Sequence, residues 1–394
     1  MKVLFYGESP SIATGLSQLA RRHIEVFRSF GWEIETCCIN HYAGGSYPSE
    51  PYKTNPTQGD GMNRENMSNL IRKGDYDILF FSCDCCNIQH FFNDILYAKC
   101  HFPGIKIISY TPMDCDEIQY DVFAFFPFCD AICTYSNHSK KAIERTVPGY
   151  KVCVIYLGCD PDFFHPVGTD KKKELKQKYF KTDKYVVINC NRNQWRKDIV
   201  RSMYAFHLFH EKYQNTMLYL HMKKKDVGGD IMYIAEGLGM KHGTEVMYTG
   251  DDFDESQGSC RETLREIYQA SDLFLSTSTG EGWGLTVTDA MSSGLPVLVP
   301  SNTAFLDLVG VDAERGTYID CGGVDNWVVP YGYGLNRRDI CSTKSAVEQL
   351  TYCHNHQHEI MQKAQVARSW AEFHTWERHK ELWATLLREM FYDH

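Results

Sequence analysis

The sequence predicts an α/β protein built from two doubly wound halves, each a mainly parallel sheet with helices on both faces. Short apolar runs of strand length alternate with amphipathic helical runs from the amino terminus onwards. The alternation stops at residues 158–181, which contain Pro, Gly and a run of Lys, and it resumes at residue 185. A glycine-rich turn at residues 280–284 separates a strand from a helix in the second half. At 394 residues the chain is long enough for two cores.

The first half alternates strands and helices up to about residue 155. Its predicted strands are 2–6, 33–39, 77–81, 106–110, 131–134 and 152–155. Its predicted helices are 16–30, 64–73, 87–100 and 137–146. Residues 40–62 are rich in Gly, Pro, Ser and Asn and are predicted to form a long surface loop, a kind of segment that often carries function.

The second half repeats the same rhythm and ends in long helices between about residues 345 and 391. Its predicted strands are 185–190, 216–221, 245–248, 272–275, 297–299 and 317–319. A helix is predicted at 285–293, where Gly294-Leu295-Pro296 ends it. We therefore expect a first domain at residues 1–165 and a second domain at residues 166–370.

Composition restricts the class of protein. Hydrophobic residues make up 43% and charged residues 23%, as in a soluble globular protein. The formal net charge of −9 argues against an unspecific nucleic-acid binder. No apolar run reaches the roughly 18 residues of a membrane span, and the start is expected to be a strand and not a signal peptide. Many of the 16 cysteines lie in predicted strands, which predicts free buried thiols and a cytoplasmic location.

The turn that precedes the helix at 285–293 has the chemistry of a binding site. A glycine turn that opens a helix leaves backbone N–H groups free, and the helix dipole favours an anion there, so the turn can hold a phosphate. Two acids, Glu281 and Asp289, bracket it. Glu281 lies at the mouth of the turn, and Asp289 is expected about one helical turn further along the same side. The segment predicts a site for a phosphorylated ligand rich in hydroxyl groups.

This segment resembles the donor-binding signature of the GT-B-fold retaining glycosyltransferases of family 4, the glycosyl transferases group 1. Those enzymes carry a strand, then E-G-[FW]-G-L, a second acid eight residues after the first, and A-M-x-x-G-x-P-V. The matching residues here are Glu281, Gly282, Trp283, Gly284, Leu285, Ala290, Met291, Gly294, Pro296 and Val297. The second acid is Asp289, where the family usually has Glu. The resemblance implies two Rossmann-like domains that face a central cleft, with a last helix in 371–394 that returns to the first domain.

A second motif supplies cations. In the resembled family a strand ends in Gly-Arg, a Lys follows five residues after the Arg, and both reach the donor diphosphate. Arg192 and Lys197 fit that spacing, with Asn191 in place of the usual Gly. Fixed cations suit this role because the leaving diphosphate gains negative charge as the sugar bond breaks. Gly15, at the start of the first helix, is expected to approach the phosphate from the opposite side of the cleft.

Asp114 follows the strand at 106–110 and is therefore expected at the carboxyl edge of the first sheet, where ligands bind. Family members often have a polar residue here, frequently His, that faces the sugar and the acceptor. Asp114-x-Asp116 also matches the metal-binding D-x-D of GT-A transferases. The two-domain layout disagrees with that alternative, and we expect no metal.

Other patterns favour ordinary structural roles. Cys83-Asp84-Cys85-Cys86 lacks a second group of ligands at zinc spacing, so buried thiols are expected. His354, His356 and His358 lie in a helical tail and do not share one face. No G-x-G-x-x-G is present, which argues against an NAD enzyme.

The resemblance implies a retaining, metal-independent hexosyltransferase that uses a UDP- or GDP-sugar as donor and no further cofactor. The acceptor is a hydroxyl group on a glycan, a small molecule, a lipid or another molecule. It is expected to bind the first domain, in the 40–62 loop and around residues 84–90 and 114–120. Two alternatives remain open, a GT-B-fold epimerase or phosphorylase and a non-catalytic sugar-nucleotide binder. The sequence gives no strong signal for a nucleic acid, a membrane or an oligomeric state.

Overall fold

The computed structural model of the protein describes residues 1–12, 14–42, 52–57, 61–249, 260–331 and 334–392. Two parallel sheets organise these residues, one of seven strands and one of six. Buried aliphatic and aromatic side chains cover both faces of each sheet. The predicted α/β class with two parallel-sheet halves is confirmed.

The first sheet has the strand order β3-β2-β1-β4-β5-β6-β7, and every neighbouring pair is parallel. Its strands are β1 (Lys2–Glu8), β2 (Glu33–Tyr42), β3 (Lys53–Thr57), β4 (Ile78–Ser82), β5 (Lys106–Tyr110), β6 (Ala131–Thr134) and β7 (Val152–Val154). Its helices are α1 (Gly15–Ser29), α2 (Arg64–Lys73), α3 (Cys85–Gln89), α4 (Phe92–His101) and α5 (Asn137–Thr146). Because all strands run the same way, the loops after β1, β4 and β5 meet at one edge of the sheet.

The second sheet has the order β12-β9-β8-β13-β14-β15, and two antiparallel hairpins, β10-β11 and β16-β17, stand beside it. The strands are β8 (Tyr185–Asn189), β9 (Thr216–Leu220), β10 (Lys225–Asp226), β11 (Gly229–Asp230), β12 (Val246–Tyr248), β13 (Leu273–Leu275), β14 (Val297–Pro300), β15 (Thr317–Ile319), β16 (Cys321–Tyr331) and β17 (Gly334–Cys341). The helices are α6 (Thr169–Phe180), α7 (Ile199–Lys212), α8 (Ile231–Gly237), α9 (Arg261–Ala270), α10 (Leu285–Ser292), α11 (Phe305–Val309), α12 (Thr343–Asn355), α13 (Gln357–Phe373) and α14 (Trp376–Phe391).

Two sequence predictions were wrong, and one hairpin was missed. The 40–62 segment is not only loop, because β3 pairs with β2; as the edge strand β3 can contain Pro56, which donates no ladder hydrogen bond. The predicted helix at 87–100 is two helices, α3 and α4. Hairpin β16-β17 was missed because it lies outside the alternating pattern that predicted the other strands. Residues 43–51 and 58–60 of the proposed acceptor loop lie outside the described residues.

The chain passes between the two sheets twice, and the two crossings pair with each other. Cys159 donates its N–H to His374 O at 2.7 Å, and Trp376 N donates back to Cys159 O at 3.2 Å. After the second crossing, α14 packs against α1 and the first sheet. Trp383 is fully buried there, with its ring centroid 5.2 Å from that of Phe80. Removing such a side chain costs about 3–5 kcal/mol of stability, so α14 is a firmly docked part of the first half.

All sixteen cysteines are free thiols, and most are buried. Within the part of the chain that the structure describes, no helix combines the length and the apolar character needed to cross a membrane.

Candidate active site

The glycine turn after β13 is held in place by hydroxyl groups and by packing. Thr279 Oγ1 donates to Arg196 O at 3.0 Å, and Glu281 N donates to Thr303 Oγ1 at 3.0 Å. Trp283 is 3% exposed and anchors the turn. Gly284 has a φ of 107°, a left-handed conformation that glycine adopts without a steric penalty, and α10 begins at the next residue. The predicted strand–turn–helix is therefore present.

Glu281 lies buried against two cations from the loop that follows β8. Its carboxylate forms an ion pair with Lys197 Nζ, and Arg196 Nη1 lies 3.5 Å from Glu281 Oε2. Ser278 Oγ donates to Glu281 Oε1 at 3.1 Å. Desolvation alone would raise the pKa of Glu281, but Lys197 and Arg196 outweigh it and hold that pKa below its usual value. Glu281 is therefore an ionised hydrogen-bond acceptor.

The same surroundings disfavour the charged form of Lys197, whereas they favour the charged form of Glu281. Burial and the neighbouring Arg196 lower the pKa of Lys197 to about 8, although Glu281 acts to raise it. A pKa of about 8 leaves the ammonium group mostly charged at neutral pH. The Lys197–Glu281 contact is thus an ion pair between two charged groups.

Asp114 lies across the cleft, after β5, and contacts the second half of the chain. Arg338 donates to Asp114 O and to Asp114 Oδ1, each at 2.7 Å, and Arg196 Nε lies 3.7 Å from Asp114 Oδ2. A Cβ on Gly280 would lie 2.0 Å from Asp114 O, so only glycine permits this approach of the two walls. Burial would raise the pKa of Asp114, but Arg338 and Arg196 outweigh it and keep it low.

Gly15 and Leu285 bring two helix N-termini together across the cleft. Gly15 is the first residue of α1, and Leu285 is the first residue of α10. A Cβ on Gly15 would lie 3.0 Å from Leu285 Cδ1. Two helix dipoles with their positive ends at one place favour a bound anion.

Arg192 and Asp289 do not contact Glu281, and each has other charged neighbours. Arg192 Nε forms an ion pair with Asp226 Oδ2 at 2.8 Å, and the arginine side chain is 52% exposed. Arg192 also acts to lower the pKa of Glu8, at the end of β1, although desolvation leaves that pKa raised. Asp289 is electrostatically coupled to Arg261, and desolvation raises its pKa to about 8.

Asp289 lies about one helical turn into α10, whereas Glu281 lies before the helix. Glu281 precedes Leu285, the first residue of α10, so helical spacing does not relate the two acids. With a pKa of about 8, the Asp289 carboxyl group is largely protonated at neutral pH. It would then donate a hydrogen bond as well as accept one.

Three further residues lie at the site; two of them, Arg196 and Arg338, were missed, and Asp84 lies in the 84–90 segment expected to bind the acceptor but was not singled out. Arg196 precedes Lys197 in the predicted motif, and its adjacency was the available signal. Asp84 lies at the carboxyl end of central strand β4, and desolvation, aided by Asp114, raises its pKa to about 6; its position after a buried strand could have indicated it. Arg338 belongs to the unpredicted hairpin β16-β17, and no sequence signal pointed to it. For metal binding, the described residues contain no group of three or more His, Cys, Asp or Glu that could hold an ion.

Comparison with known proteins supports the resemblance drawn from the turn. The family model of glycosyl transferases group 1 matches residues 253–328, which include the turn and α10. Alpha-1,3/1,6-mannosyltransferase ALG2 of Saccharomyces cerevisiae is 24% identical over 264 residues, which cover 57% of this chain and 50% of ALG2. Mannosylfructose-phosphate synthase of Agrobacterium fabrum is 26% identical over 215 residues, which cover 54% of this chain and 40% of the synthase. The chain spans half or less of the length of these two curated relatives.

Solved structures match over the whole chain. Sucrose-phosphate synthase from Thermosynechococcus elongatus superposes with a TM-score of 0.77 at 14% identity, covering 100% of both chains. HepE of Anabaena, in complex with UDP and glucose, gives a TM-score of 0.72 at 15% identity and covers 99% of this chain and 100% of its own. The predicted GT-B fold and the resemblance to glycosyl transferases group 1 are confirmed.

Proposed function

We propose that this protein is a retaining glycosyltransferase that moves a hexosyl group from a UDP- or GDP-sugar to an acceptor hydroxyl. The observation that carries the proposal is the buried, ionised Glu281, held by Lys197 and Arg196 on the glycine turn and facing Asp114 across the cleft. The match of residues 253–328 to glycosyl transferases group 1 supports it. The names of relatives that transfer mannosyl groups and the UDP bound to HepE support the donor class.

In this proposal the donor sugar binds at Glu281. Its carboxylate is acceptor-only when ionised, so it would take hydrogen bonds from sugar hydroxyl groups. Lys197 and Ser278 already fix both its position and its charge state. A preorganised acceptor costs little reorganisation when the substrate arrives.

The diphosphate would lie where the N-termini of α1 and α10 face each other. Lys197, Arg196 and Arg192 come from one loop at the edge of the second sheet and would supply positive charge as the leaving group separates. Charge from helix N-termini and side chains can replace a divalent cation in this role, so we propose a metal-independent reaction without a further cofactor.

The acceptor would bind on the side of Asp114, whose side chain keeps 32% of its surface exposed. An acceptor hydroxyl that donates to Asp114 would be oriented toward the sugar. In a retaining reaction of this kind, the hydroxyl attacks from the same face as the departing diphosphate, which itself takes the proton. No protein nucleophile is required. We further propose a cytoplasmic location, which the free cysteines support.

A panel of UDP-, GDP- and ADP-sugars tests the proposal. The purified protein should release free nucleotide diphosphate slowly from at least one donor, with water as acceptor, and Glu281→Gln should slow the release on the order of a hundredfold or more. An epimerase would change the sugar without release, and a phosphorylase would need inorganic phosphate. A non-catalytic binder would raise its Tm with nucleotide but release nothing.

A further inference from the structure

Hairpin β16-β17 belongs to the second half of the chain, yet its second strand pairs with the first half. Asp116 N donates to Arg337 O at 3.1 Å, and Arg337 N donates to Glu117 O at 3.0 Å. These two backbone bonds form an antiparallel bridge between β17 and the loop that carries Asp114. The hairpin therefore lies across the cleft and fixes the position of its own side chains relative to the first sheet.

Two neighbouring arginines of β17 have different surroundings. Successive side chains of a strand point to opposite faces. The Arg337 side chain is 41% exposed and lies 3.2 Å from Glu117 Oε1 at the surface, whereas the Arg338 side chain is only 2% exposed. The same strand thus provides a buried arginine and a matched exposed control.

Two nitrogens of the Arg338 guanidinium donate hydrogen bonds to Asp114. Nη1 donates to the Asp114 carbonyl and Nη2 to Asp114 Oδ1, both at 2.7 Å, so the two prongs of the guanidinium fork hold the backbone and one carboxylate oxygen of Asp114 in a fixed relation. The Arg338 guanidinium also lies 5.7 Å from the Trp195 ring centroid. Asp114 Oδ2 has Arg196 Nε at 3.7 Å, which is too long for a hydrogen bond. That oxygen keeps the capacity to accept one.

We propose that Arg338 is a positioning residue for the acceptor: from the second half of the chain it orients the carboxylate of Asp114 so that Oδ2 faces the acceptor hydroxyl. This rests on the proposed function. A buried guanidinium is stable only with a well-placed partner. The acceptor side of the site is therefore complete only while hairpin β16-β17 lies across the cleft.

The test compares Arg338→Met with Arg337→Met. The probes are UDP-glucose and GDP-mannose, with water as acceptor. Arg338→Met should lower kcat on the order of a hundredfold, because a displaced carboxylate no longer orients the attacking group. The affinity for UDP and GDP should stay within about threefold, since Arg338 contacts Asp114 and not the donor turn. Arg338→Lys should recover part of kcat because it keeps the charge and loses the fork.

The pH profile separates positioning from a general loss of structure. Without Arg338 the pKa of Asp114 rises, so the acid limb of kcat should move to higher pH in Arg338→Met and should stay in place in Arg337→Met. Equal losses in the two variants, or an unchanged kcat and acid limb in Arg338→Met, would overturn the proposal.

A thermal double-mutant cycle tests the contact without activity. Arg338→Met and Asp114→Asn should each lower Tm, and the double variant should lower it by less than the sum of the two. The Arg337→Met and Glu117→Gln pair should be nearly additive. Additive Tm changes for Arg338 and Asp114 would overturn the positioning contact, whereas a wild type that releases nucleotide from no donor would overturn the proposed function instead.

Discussion

The two walls of the cleft obtain their counter-charges differently. In the second-half wall, Glu281 pairs with Lys197 and Arg196 from a neighbouring loop of the same domain. In the first-half wall, the cations beside Asp114 are Arg338 and Arg196, both from the opposite wall. The second-half wall, here called the donor wall, is therefore assembled within one domain. The first-half wall, here called the acceptor wall, depends on contact between the two domains.

This difference also appears in the pKa values of the acids. Desolvation and the charge of Asp114 raise the pKa of Asp84 to about 6, while Arg196 and Arg338 act to lower it. Withdrawal of those cations would raise the pKa values of both aspartates. The acceptor wall should consequently be the more sensitive of the two walls to pH and to the relative placement of the domains.

The largest expected effect concerns the donor wall. Glu281→Gln keeps the size of the side chain and removes its charge, so turnover should fall on the order of a hundredfold or more. Steady-state release of nucleotide diphosphate measures it. Glu348→Gln, at an exposed glutamate of α12, is the control and should turn over normally. Near-normal turnover by Glu281→Gln would contradict the proposed role of Glu281 in binding the donor sugar.

The next effect identifies which cations hold the diphosphate. Lys197→Met and Arg192→Met should each weaken UDP or GDP binding by roughly 1.5–3 kcal/mol, because each removes a charge-assisted contact. Calorimetric titration measures the affinity. Asp226→Asn removes the ion-pair partner of Arg192 but leaves the charge of Arg192 in place, so the affinity for UDP or GDP should be retained. If Arg196→Met weakens binding and Arg192→Met does not, the diphosphate lies nearer to the Glu281 cations than the sequence motif predicts.

A smaller effect concerns the support behind the acceptor wall. His23 of α1 is buried among aromatic rings beside His379 of α14, with ring centroids 5.7 Å apart. Among the described residues, neither ring nitrogen of His23 has a hydrogen-bond partner. Burial lowers the pKa of His23 well below its usual value and lowers that of His379 to about 4.

The folded-state pKa values of His23 and His379 lie below the unfolded value of about 6.5. The two neutral rings therefore make their full contribution to the free energy of unfolding above that pH. It is lost as pH falls toward the folded-state values. Tm should therefore fall by several degrees between pH 7 and pH 5, since about 1 kcal/mol shifts Tm by roughly 2–4 °C in domains of this size. His23→Phe should reduce this dependence in thermal unfolding scans. An equal dependence in that variant would assign it to other groups.

The smallest expected effect is that of a metal chelator on turnover. If helix N-termini and side-chain cations neutralise the leaving group, EDTA should leave turnover unchanged. Loss of turnover that Mn²⁺ restores would favour the competing interpretation of Asp114 and Asp116 as metal ligands.

Much of the fold could be predicted because its signals are local. Strands β5, β6 and β15 have the predicted bounds, since each is a short apolar run closed by polar or turn residues. Helix α2 also has its predicted bounds, with Gly74 in a left-handed conformation just after it. Hairpin β16-β17 was not predicted, because it lies outside both parallel sheets and interrupts their alternation.

For the site, the sequence by itself determined the turn around Glu281 and the Lys197 loop, because each is a contiguous segment whose spacing reflects local backbone geometry. Only the tertiary structure decided the partners. Asp114 meets Arg338, 224 residues away, and Arg196 joins Lys197 at Glu281 while Arg192 turns to Asp226. The attraction between opposite charges depends on their distance in space. Neither sequence periodicity nor residue propensity predicts how the two sheets face each other.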